Sequence, residues 1–512
     1  MSTPYDRPGT YNPGTGEPLP PVAPSEPSEI SAAIGQARAA QPAWAARPAG
    51  DRYDLCRKLA RRIMENRKQV CEIMAAETGR TATEAFMSEV VYLMTAVDSA
   101  VRACEAATAT VPVPLSFIEY PGKKACVEAV PRGVVGIIAP WNYPLSNFYK
   151  PLFPALLSGN TVVLKPSEFT PRTGQWLYEQ CVAVFPTNVV KIIQGAGDVG
   201  QKLIQGVDAI VFTGSVPTGR KVALQAAERL IPSSVELGGK DAAIVLADCD
   251  LTRTVAGVGY WGFHNAGQNC AGIERVYVEA PIADAFVAQL GKLAAALRVP
   301  EDLGPLQNPR QLQIVEEHVA DALAKGARLV AGGKPTGQGL GYAATVLDQC
   351  TAEMRIMREE TFGPVLAVQR VPDAEQALAL ANDCAYGLGG SVWTKNTARG
   401  EQLVRRMEVG VAMVNNHAVS GTLPESAWTG MKDTGTGIAQ SQFAYATFVR
   451  RRTVLVDTNK DPDAWWFPAN ADLAAFAEAA AQKSLGSFIV LPKLVGLISK
   501  RVKAIKALAT QK

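Results

Sequence analysis

Two short segments near the middle of the chain carry the side chains best suited to covalent chemistry. The run Phe263–Cys270 places Cys270 behind a Gly-Gln pair, and Glu236 lies earlier, in Val235–Lys240. A thiolate is the most nucleophilic side-chain group for attack on a carbonyl carbon, and a separate carboxylate can activate the water that later releases the acyl group. The pair therefore predicts covalent catalysis with two separate stages of proton transfer.

Further motifs lie on both sides of this pair. They are Tyr11–Gly16, Pro140–Pro144, Lys165–Glu168, Phe212–Ser215 with Gly219, and Glu359–Pro364. In this order they resemble the motifs of the NAD(P)-dependent aldehyde dehydrogenase superfamily, and the resemblance extends from Tyr11 to about Val456. One short motif arises readily by chance, whereas an ordered series along most of the chain does not.

The resemblance implies a role for each matching residue. Cys270 corresponds to the nucleophile, and the side-chain amide of Asn142, with the backbone N–H of Cys270, corresponds to the oxyanion hole. Glu236 corresponds to the base that activates water to hydrolyse a thioester on Cys270. The positions that match cofactor contacts are Trp141, Lys165, Ser167, Glu168, Gly214, Ser215, Gly219, Leu237, Glu360 and Phe362.

The cofactor implied by the resemblance is NAD. Gly214 and Gly219 resemble the family's short dinucleotide turn, in which glycine allows the pyrophosphate to approach a helix N-terminus. Glu168 matches a position that binds the adenosine ribose, where a carboxylate would repel the 2′-phosphate of NADP. Lys165 and Ser167 are compatible with both cofactors, so NADP is retained as an alternative.

Hydrophobic periodicity predicts an α/β fold. From residue 28 to about residue 107 apolar residues recur at helical spacing, whereas 134–138, 161–164 and 209–212 read as buried strands. Each of these strands precedes a polar turn and a helical segment, which is typical of a parallel sheet. Further strands are expected at 329–333, 365–371 and 391–394. Ligands bind at the carboxyl ends of strands in such sheets, so Asn142, Lys165 and Gly214 are expected to border one crevice.

The resemblance implies an aldehyde dehydrogenase-like architecture. It combines a Rossmann-type cofactor domain, an α/β catalytic domain and a small β element used in oligomerisation. The NAD-binding domain is expected at 1–110 and 132–238, and the catalytic domain at 239–443. Strands in 111–131 and 444–458 are expected to serve a homo-oligomer, either a dimer or a tetramer. Residues 459–512 form a basic amphipathic extension.

Composition fits a globular enzyme with more than one domain. The 512 residues exceed the length at which a single core stops growing, and a net charge of +3 gives no reason to expect a nucleic-acid partner. Nine scattered cysteines without a Cys-x-x-Cys pair argue against a disulfide framework or a zinc site, so no metal is expected. His264, His318 and His417 have no metal-like spacing and are expected to be packing or surface residues. The N-terminus does not resemble a secretory signal, which favours the cytoplasm.

The end of the chain departs from this pattern. Residues 483–512 contain seven Lys/Arg and no Asp/Glu, and their apolar runs are too short to span a bilayer. A basic amphipathic helix can lie on an anionic membrane surface, which would make the protein peripheral at a membrane. Alternatively, the helix packs on the enzyme or its oligomer.

The expected reaction is the NAD-dependent oxidation of a small-molecule aldehyde to a carboxylic acid. The substrate is less well defined, because 427–435 departs from the family's usual Pro-Phe/Trp-Gly-Gly pattern. Lys150 and the pair Ser146–Asn147 predict a polar pocket entrance. A CoA-acylating or semialdehyde-specific relative remains the enzymatic alternative, although Glu236 argues against acylation to CoA. A structural or membrane-associated binding protein derived from the family is the non-enzymatic alternative.

Overall fold

The structure is a computed structural model that describes residue 5, residues 7–116 and residues 119–510. The described chain forms two compact units. One contains the described residues up to Ala109 together with Ala129–Arg450, and the other contains those of Thr110–Glu128 and Arg451–Lys512. Every site residue expected from the sequence lies in the first unit.

The first unit contains a five-stranded parallel sheet. Alternate residues of its strands enter two separate apolar cores, because a parallel sheet is covered by helices on both faces. The order of connection reverses beside Val134–Ile138, and such a reversal opens a ligand crevice at the carboxyl ends of the strands. In spatial order the strands are Val190–Ile192, Thr161–Lys165, Val134–Ile138, Ala209–Thr213 and Ser233–Glu236.

Helices precede this sheet and connect its strands. The first begins with a capping box, in which the side chains of Glu26 and Glu29 accept hydrogen bonds from each other's backbone N–H groups. The helices before the sheet are Pro27–Ala45, Ala49–Glu65, Arg67–Thr78, Ala82–Ala85 and Leu93–Thr108, with a π-helical turn at Phe86–Val90. The connecting helices are Ser146–Leu157, Pro171–Val182, Gly197–Gly206 and Val216–Glu228.

The first unit also contains a seven-stranded sheet, parallel except for one antiparallel edge strand. In spatial order its strands are Arg328–Ala331, Thr345–Asp348, Val365–Val371, Ile273–Glu279, Asp241–Val245, Gly389–Trp393 and Val411–Val414. Its helices are Leu251–Phe263, Ala280–Ala296, Pro309–Ala324, Arg355–Arg358, Ala374–Asn382 and Thr397–Val404. Two short antiparallel strand pairs complete the unit: Tyr386–Gly387 with Met431–Lys432, and Trp428–Thr429 with Ile438–Ala439. Its 3₁₀ turns are His264–Gly267, Val419–Thr422 and Gln442–Thr447.

The second unit contains most of a three-stranded sheet and a helical extension. The sheet has the order Val111–Val113, Lys123–Pro131, Val449–Asp457. The extension consists of the helices Ala471–Ser484 and Leu491–Ala509 with a 3₁₀ turn at Phe488–Val490, and the two helices pack on each other. Among the described residues, no helix has the length and apolarity required to cross a bilayer.

Basic residues of the extension make contacts within the second unit. Arg501 is fully buried, and its Nε donates to the carbonyl oxygen of Ala464 at 2.9 Å. Lys500 pairs with Asp472 at 2.7 Å. Two further lysines form ion pairs, Lys483 with Glu119 and Lys506 with Asp461.

The strands expected at 134–138, 161–164, 209–212 and 365–371 are confirmed, with ends that differ by at most one residue. The strand expected at 329–333 ends earlier, at Ala331, because Gly332 and Gly333 adopt φ angles of 72° and 79° that belong to a turn. The strand expected at 391–394 is displaced, since it begins at Gly389 and ends at Trp393. Helices cover 28–107 as the apolar spacing predicts.

Candidate active site

The loop that carries Cys270 has an unusual backbone. Three consecutive residues, Asn265, Ala266 and Gly267, have φ angles of 55°, 54° and 70°. This left-handed region costs residues other than glycine about 1–2 kcal/mol each. At Gly267 a Cβ atom would lie 2.0 Å from the carbonyl oxygen of Gly363, so only glycine fits there. The loop therefore needs stabilising contacts from its surroundings.

These contacts come from distant parts of the chain. The backbone N–H of Asn265 donates to Oε1 of Glu84 at 2.7 Å. The side-chain amide of Gln268 donates to the carbonyl oxygen of Pro305 at 3.1 Å, and its Oε1 accepts from the backbone N–H of Gln307 at 2.8 Å. Gln268 is buried and both ends of its amide are bonded, so this residue anchors the loop rather than contacting a substrate.

The same loop is bonded to Asn142. Nδ2 of Asn142 donates to the carbonyl oxygen of Gln268 at 3.2 Å, and Nδ2 of Asn265 donates to the carbonyl oxygen of Asn142 at 3.0 Å. Asn142 is buried and follows the strand Val134–Ile138. A primary amide has two N–H donors, so one stays available at the cysteine turn. That donor is suited to an oxyanion formed beside Cys270.

Glu236 ends the strand Ser233–Glu236, and its side chain lines the cavity that Cys270 also lines. Its Oε1 is buried and has no hydrogen-bond partner within the described part of the chain. Burial raises the pKa of Glu236 to about 8, and the charge of Lys150 acts in the opposite direction. A buried carboxyl group with an unpaired oxygen and a pKa close to neutrality has the properties of a general base.

The Cys270 side chain is partly buried. Burial, followed by the nearby carboxylates of Asp241, Glu360 and Glu236, raises the pKa of the Cys270 thiol to about 12, whereas Lys150 lowers it. The thiol is therefore protonated at neutral pH in the free protein. A cation brought close to Sγ, such as an oxidised nicotinamide, would lower this pKa because it favours the thiolate.

Trp141 and Phe362, both among the positions that match cofactor contacts, contact each other edge to face with 5.5 Å between ring centroids. Phe362 has a φ of 52°, and its backbone N–H donates to Oε1 of Glu274 at 2.8 Å. Lys240 forms a buried ion pair with Glu274 and donates to Oγ1 of Thr361 at 3.0 Å. The ion pair therefore fixes the turn that carries Phe362.

Glu360 lies in the same turn and contacts the segment that follows the strand Ser233–Glu236. Its Oε1 accepts from the backbone N–H of Gly239 at 3.1 Å, and burial raises the pKa of Glu360 to about 8. A Cβ atom at Gly238 would lie 2.3 Å from Oε2 of Glu360, so glycine is needed for this approach. Glu360 is thus held beside the backbone that follows Leu237.

Gly214, Ser215 and Gly219 lie where Ala209–Thr213 leads into the next helix. Ser215 is the N-cap residue of the helix Val216–Glu228 and its side chain forms no cap, so backbone N–H groups of the first turn are suited to an anion such as pyrophosphate. A Cβ atom at Gly219 would lie 2.1 Å from Cδ2 of Leu237. The close contact with Leu237 accounts for glycine at this position, and the approach of a cofactor to Gly219 stays a prediction.

The strand Thr161–Lys165 ends at Lys165, and Ser167 and Glu168 follow at its carboxyl end. Nζ of Lys165 donates to the carbonyl oxygen of Pro166 at 3.1 Å. Burial lowers the pKa of Lys165, and the charges of Glu168 and Asp198 act in the opposite direction. Ser167 is buried and Glu168 is half-buried. The structure therefore brings the three residues to the same sheet edge as the other motifs.

The cavity that Cys270 and Glu236 line is small, with a volume of about 60 Å³. Its lining is mainly apolar, and the segment 427–435, which departs from the family pattern, supplies Trp428. Gly435 in that segment forms an isolated β-bridge with Glu236. The segment thus shapes both the cavity and the strand end that carries the candidate base.

The polar entrance expected from Ser146, Asn147 and Lys150 is only partly present. Asn147 and Lys150 line the cavity. Ser146 does not, because it is buried and its backbone N–H donates to Oε2 of Glu89 at 2.8 Å. The influence of Lys150 on the pKa of Glu236 was not predicted from the sequence. A lysine as the one charged residue of the helix Ser146–Leu157 was the available signal.

The three histidines are packed within the fold, as expected. His417 is buried, with Nδ1 3.0 Å from Oγ of Ser391 and Nε2 3.3 Å from Oδ2 of Asp241. His318 is buried, and His264 stacks near Tyr143. All nine cysteines are free, and the described residues contain no group of His, Cys, Asp or Glu side chains arranged to hold a metal ion.

Comparison with known proteins agrees with this arrangement. The model of the aldehyde dehydrogenase family matches residues 4–454. A Mycobacterium ulcerans protein provisionally named succinate-semialdehyde dehydrogenase [NADP(+)] 2 is 39% identical, over 78% of this chain and 79% of that protein. The 4,4'-diapolycopene aldehyde oxidase of a Methylomonas species is 34% identical, over 87% of this chain and 85% of that protein.

A solved structure extends the agreement to the fold. The Mycobacterium tuberculosis aldehyde dehydrogenase complexed with NAD⁺ superimposes with a TM-score of 0.83 at 33% identity, and the alignment covers 88% of this chain and 95% of that one. The motif order, the two sheets and these matches lead to one conclusion: the chain belongs to the aldehyde dehydrogenase family, whose members use NAD(P) to oxidise an aldehyde to a carboxylic acid.

Proposed function

We propose that this enzyme oxidises its aldehyde by covalent catalysis at Cys270, with Asn142 and Glu236 as the other catalytic residues. The observation that carries the proposal is the cavity shared by Cys270 and Glu236, into which Glu236 brings a buried, unpaired carboxyl oxygen. A cysteine with only a packing role would have no need of such a neighbour.

In the first step the thiolate of Cys270 attacks the aldehyde carbon. A C–S bond forms, the carbonyl π bond breaks, and the thiol proton passes to solvent. The resulting oxyanion accepts hydrogen bonds from the Asn142 side chain and the Cys270 backbone N–H. Loss of one such donor typically lowers the rate by about 10²–10³.

The second step removes hydride from the thiohemiacetal and leaves a thioester on Cys270. When bound, NAD supplies the oxidised nicotinamide that takes up this hydride. Trp141, Glu360 and Phe362 would hold its nicotinamide end, and the uncapped helix N-terminus at Ser215 would bind its pyrophosphate.

Hydrolysis then releases the carboxylic acid. Glu236 accepts a proton from a water molecule whose oxygen attacks the thioester carbon, and the C–S bond breaks to restore the thiolate. Lys150 increases the fraction of Glu236 that is ionised, because its charge lowers the pKa of that carboxyl group. Lys150 is thus a positioning residue, because it acts on the reaction through the charge of Glu236.

NAD is the cofactor that we propose as preferred. Glu168 lies half-buried at the crevice edge, and its negative charge would repel a 2′-phosphate there. Lys165 and Ser167 are compatible with both cofactors. The Mycobacterium ulcerans relative is named for NADP⁺, whereas the Mycobacterium tuberculosis structure contains NAD⁺, so the family resemblance alone does not choose between them.

Two enzymatic alternatives concern the acyl acceptor and the substrate. A CoA-acylating enzyme transfers the acyl group to a thiol rather than to water. Glu236 would then have no water molecule to activate. A semialdehyde-specific enzyme agrees with the name of the Mycobacterium ulcerans relative. In this chain Lys150 is the one described cavity-lining residue with a positive charge that could attract such a substrate.

The remaining assignments concern domains and assembly. We propose the NAD-binding domain at 1–110 and 132–238, the catalytic domain at 239–443, and oligomerisation strands in 111–131 and 444–458. The three-stranded sheet of the second unit supports the last assignment, because its outer strands offer edges for pairing with another copy. A cytoplasmic homo-oligomer, either a dimer or a tetramer, is the assembly that we propose.

For residues 459–512 we propose a packing role in preference to membrane contact. Of the seven cations in 483–512, four make contacts inside the second unit: Lys483, Lys500, Arg501 and Lys506. A cation that is already paired with a carboxylate or a buried carbonyl has less charge to offer an anionic surface.

Single-turnover kinetics of Glu236→Gln test the mechanism. We expect one NADH per active site and then a stall, because hydride transfer precedes the hydrolysis that needs the base. Cys270→Ala is the matched control and should give no NADH at all while NAD still binds, as followed by quenching of protein fluorescence. Undiminished steady-state turnover in either variant would remove that residue from its proposed role.

A further inference from the structure

A buried carboxylate, Glu89, holds the turn that follows Asn142. Its Oε2 accepts hydrogen bonds from the backbone N–H groups of Leu145 and Ser146, each at 2.8 Å. These groups begin the helix Ser146–Leu157, whose N-cap residue Leu145 forms no side-chain cap. A carboxylate is favoured there, because the first N–H groups of a helix lack intrahelical partners and carry partial positive charge. Glu89 thus caps this helix from a different part of the chain.

The first turn of that helix orients the Asn142 side chain. Nδ2 of Asn147 donates to Oδ1 of Asn142 at 3.4 Å. With its oxygen bonded to the helix, the Asn142 amide directs Nδ2 toward the cysteine loop, where it donates to the carbonyl oxygen of Gln268 at 3.2 Å. A displacement of the first turn would therefore move the N–H group that is proposed to face the oxyanion.

Arg80 compensates the buried charge of Glu89. Both side chains are buried, and Nη2 of Arg80 pairs with Oε1 of Glu89, so each carboxylate oxygen has its own partners. The Arg80 guanidinium also lies 5.8 Å from the ring centroid of Tyr143, the residue that follows Asn142. Because a buried charge without a partner is costly, this ion pair stabilises the carboxylate that caps the helix.

The neighbouring residues also hold the cysteine loop, through a second carboxylate. Oε1 of Glu84 accepts from the backbone N–H of Asn265 at 2.7 Å. Glu84 lies in the helix Ala82–Ala85, and Glu89 lies in the adjoining π-helical turn Phe86–Val90. One contact therefore holds the loop of the nucleophile and the other holds the turn of the oxyanion donor. Loss of the Glu89 contact should displace the donor and leave the cysteine loop in place.

We propose that Glu89 is a positioning residue of the oxyanion hole, an inference that rests on the proposed roles of Cys270 and Asn142. It acts through the Asn142 amide, so its effect belongs to steps in which the aldehyde oxygen becomes negatively charged. Alkylation of the same thiolate by iodoacetamide forms a C–S bond while iodide leaves, and no oxyanion develops. The two reactions therefore distinguish a donor that is out of place from a cysteine that is out of place.

The test compares both reactions in Glu89→Gln, which keeps the shape of the side chain but removes its charge and one acceptor oxygen. Single-turnover NADH formation measures attack and hydride transfer, and peptide mass spectrometry measures alkylation of Cys270. We expect the NADH rate constant to fall by about tenfold to 100-fold, while alkylation stays within about twofold of wild type. Should Glu89→Gln fail to fold, Glu89→Asp keeps the charge on a shorter side chain and should show the same difference between the reactions.

Glu77→Gln is the matched control. Glu77 is also buried, and its carboxylate accepts from the backbone N–H groups of Arg172 and Thr173 at 2.7 and 2.9 Å, where the helix Pro171–Val182 begins. That helix carries none of the proposed catalytic residues. Both substitutions should lower the thermal midpoint, but Glu77→Gln should keep the single-turnover rate at saturating NAD within about twofold of wild type.

A double-mutant cycle with Asn142→Ala separates this inference from the proposed mechanism. Glu89→Gln should slow Asn142→Ala by no more than about twofold, because the amide through which it acts is already absent. Effects that multiply would overturn the inference, as would an unchanged NADH rate in Glu89→Gln or an equal slowing of NADH formation and alkylation. A wild-type rate in Asn142→Ala would overturn the proposed oxyanion hole itself, whatever the result for Glu89→Gln.

Discussion

The pH dependence of turnover is determined by the pair Glu236 and Lys150. With a pKa of about 8, roughly one tenth of Glu236 is ionised at pH 7 and roughly nine tenths at pH 9. A raised carboxyl pKa keeps the base protonated until a higher pH is reached. Where hydrolysis limits turnover, the steady-state rate should therefore rise about tenfold between pH 7 and pH 9.

Lys150→Met removes the charge that lowers the pKa of Glu236, so the pH profile should move to higher pH. Each unit of upward shift reduces the rate at pH 7 by a further factor of about ten, equivalent to about 1.4 kcal/mol. The plateau at high pH should be largely retained, because the carboxylate itself is unchanged. Lys150→Arg is the matched control, since it keeps the positive charge and should stay close to wild type.

Steady-state NADH formation over a range of roughly pH 6 to 10 measures the midpoint of the profile, and stopped-flow mixing measures the pre-steady-state burst. The burst amplitude should persist in Lys150→Met, because the burst reports the steps before hydrolysis, although the burst should be slower because Lys150 also lowers the pKa of Cys270. A Lys150→Met enzyme that keeps the wild-type midpoint would refute the assigned coupling. A lower rate at every pH without a shift would assign Lys150 to packing instead.

Glu168→Gln should narrow the preference for NAD over NADP, mainly through tighter binding of NADP. The reason is that the substitution removes a negative charge beside the expected 2′-phosphate. Competition kinetics with both cofactors measure this preference. An unchanged cofactor ratio would place Glu168 outside the cofactor site. Deleting residues 483–512 should lower the thermal midpoint, since it removes the helix Leu491–Ala509 with its buried Arg501, and it should leave oxidation of a small soluble aldehyde largely intact. Co-sedimentation of the full chain with anionic vesicles at low salt, lost on truncation, would instead demonstrate lipid contact.

Three strands of the five-stranded sheet were predicted because parallel strands buried on both faces are short, continuous apolar runs, whereas Val190–Ile192 and Ser233–Glu236 were not predicted. Val134–Ile138 was predicted to the residue. The candidate site followed from the ordered motifs, and Cys270 and Glu236 do line one cavity. In these cases the information lies in residues that are adjacent in the sequence.

The remaining features depend on contacts between distant residues. The left-handed run at Asn265 and Ala266 has no local signal, because one of its supports is Glu84, which lies 181 residues earlier. The coupling of Lys150 to Glu236 depends on how a helix packs beside a strand end. The basic residues of 483–512 predicted an exposed charged surface. Their carboxylate partners, such as Glu119 and Asp461, lie outside this segment, and only folding brings them to its lysines.

The contacts that hold the cysteine loop also bear on when the enzyme becomes active during folding and how it fails on heating. Asn265 reaches Glu84 across 181 residues, and Asn142 reaches Gln268 across 126. Closing such long stretches of chain costs entropy, so these contacts are expected to form late in folding, and the loop that they hold carries left-handed residues that its surroundings must stabilise. Activity is therefore expected to disappear before the sheets unfold. A partly folded chain has a cysteine that lacks its oxyanion donor, so reactivity toward aldehydes reports that assembly of the first unit is complete.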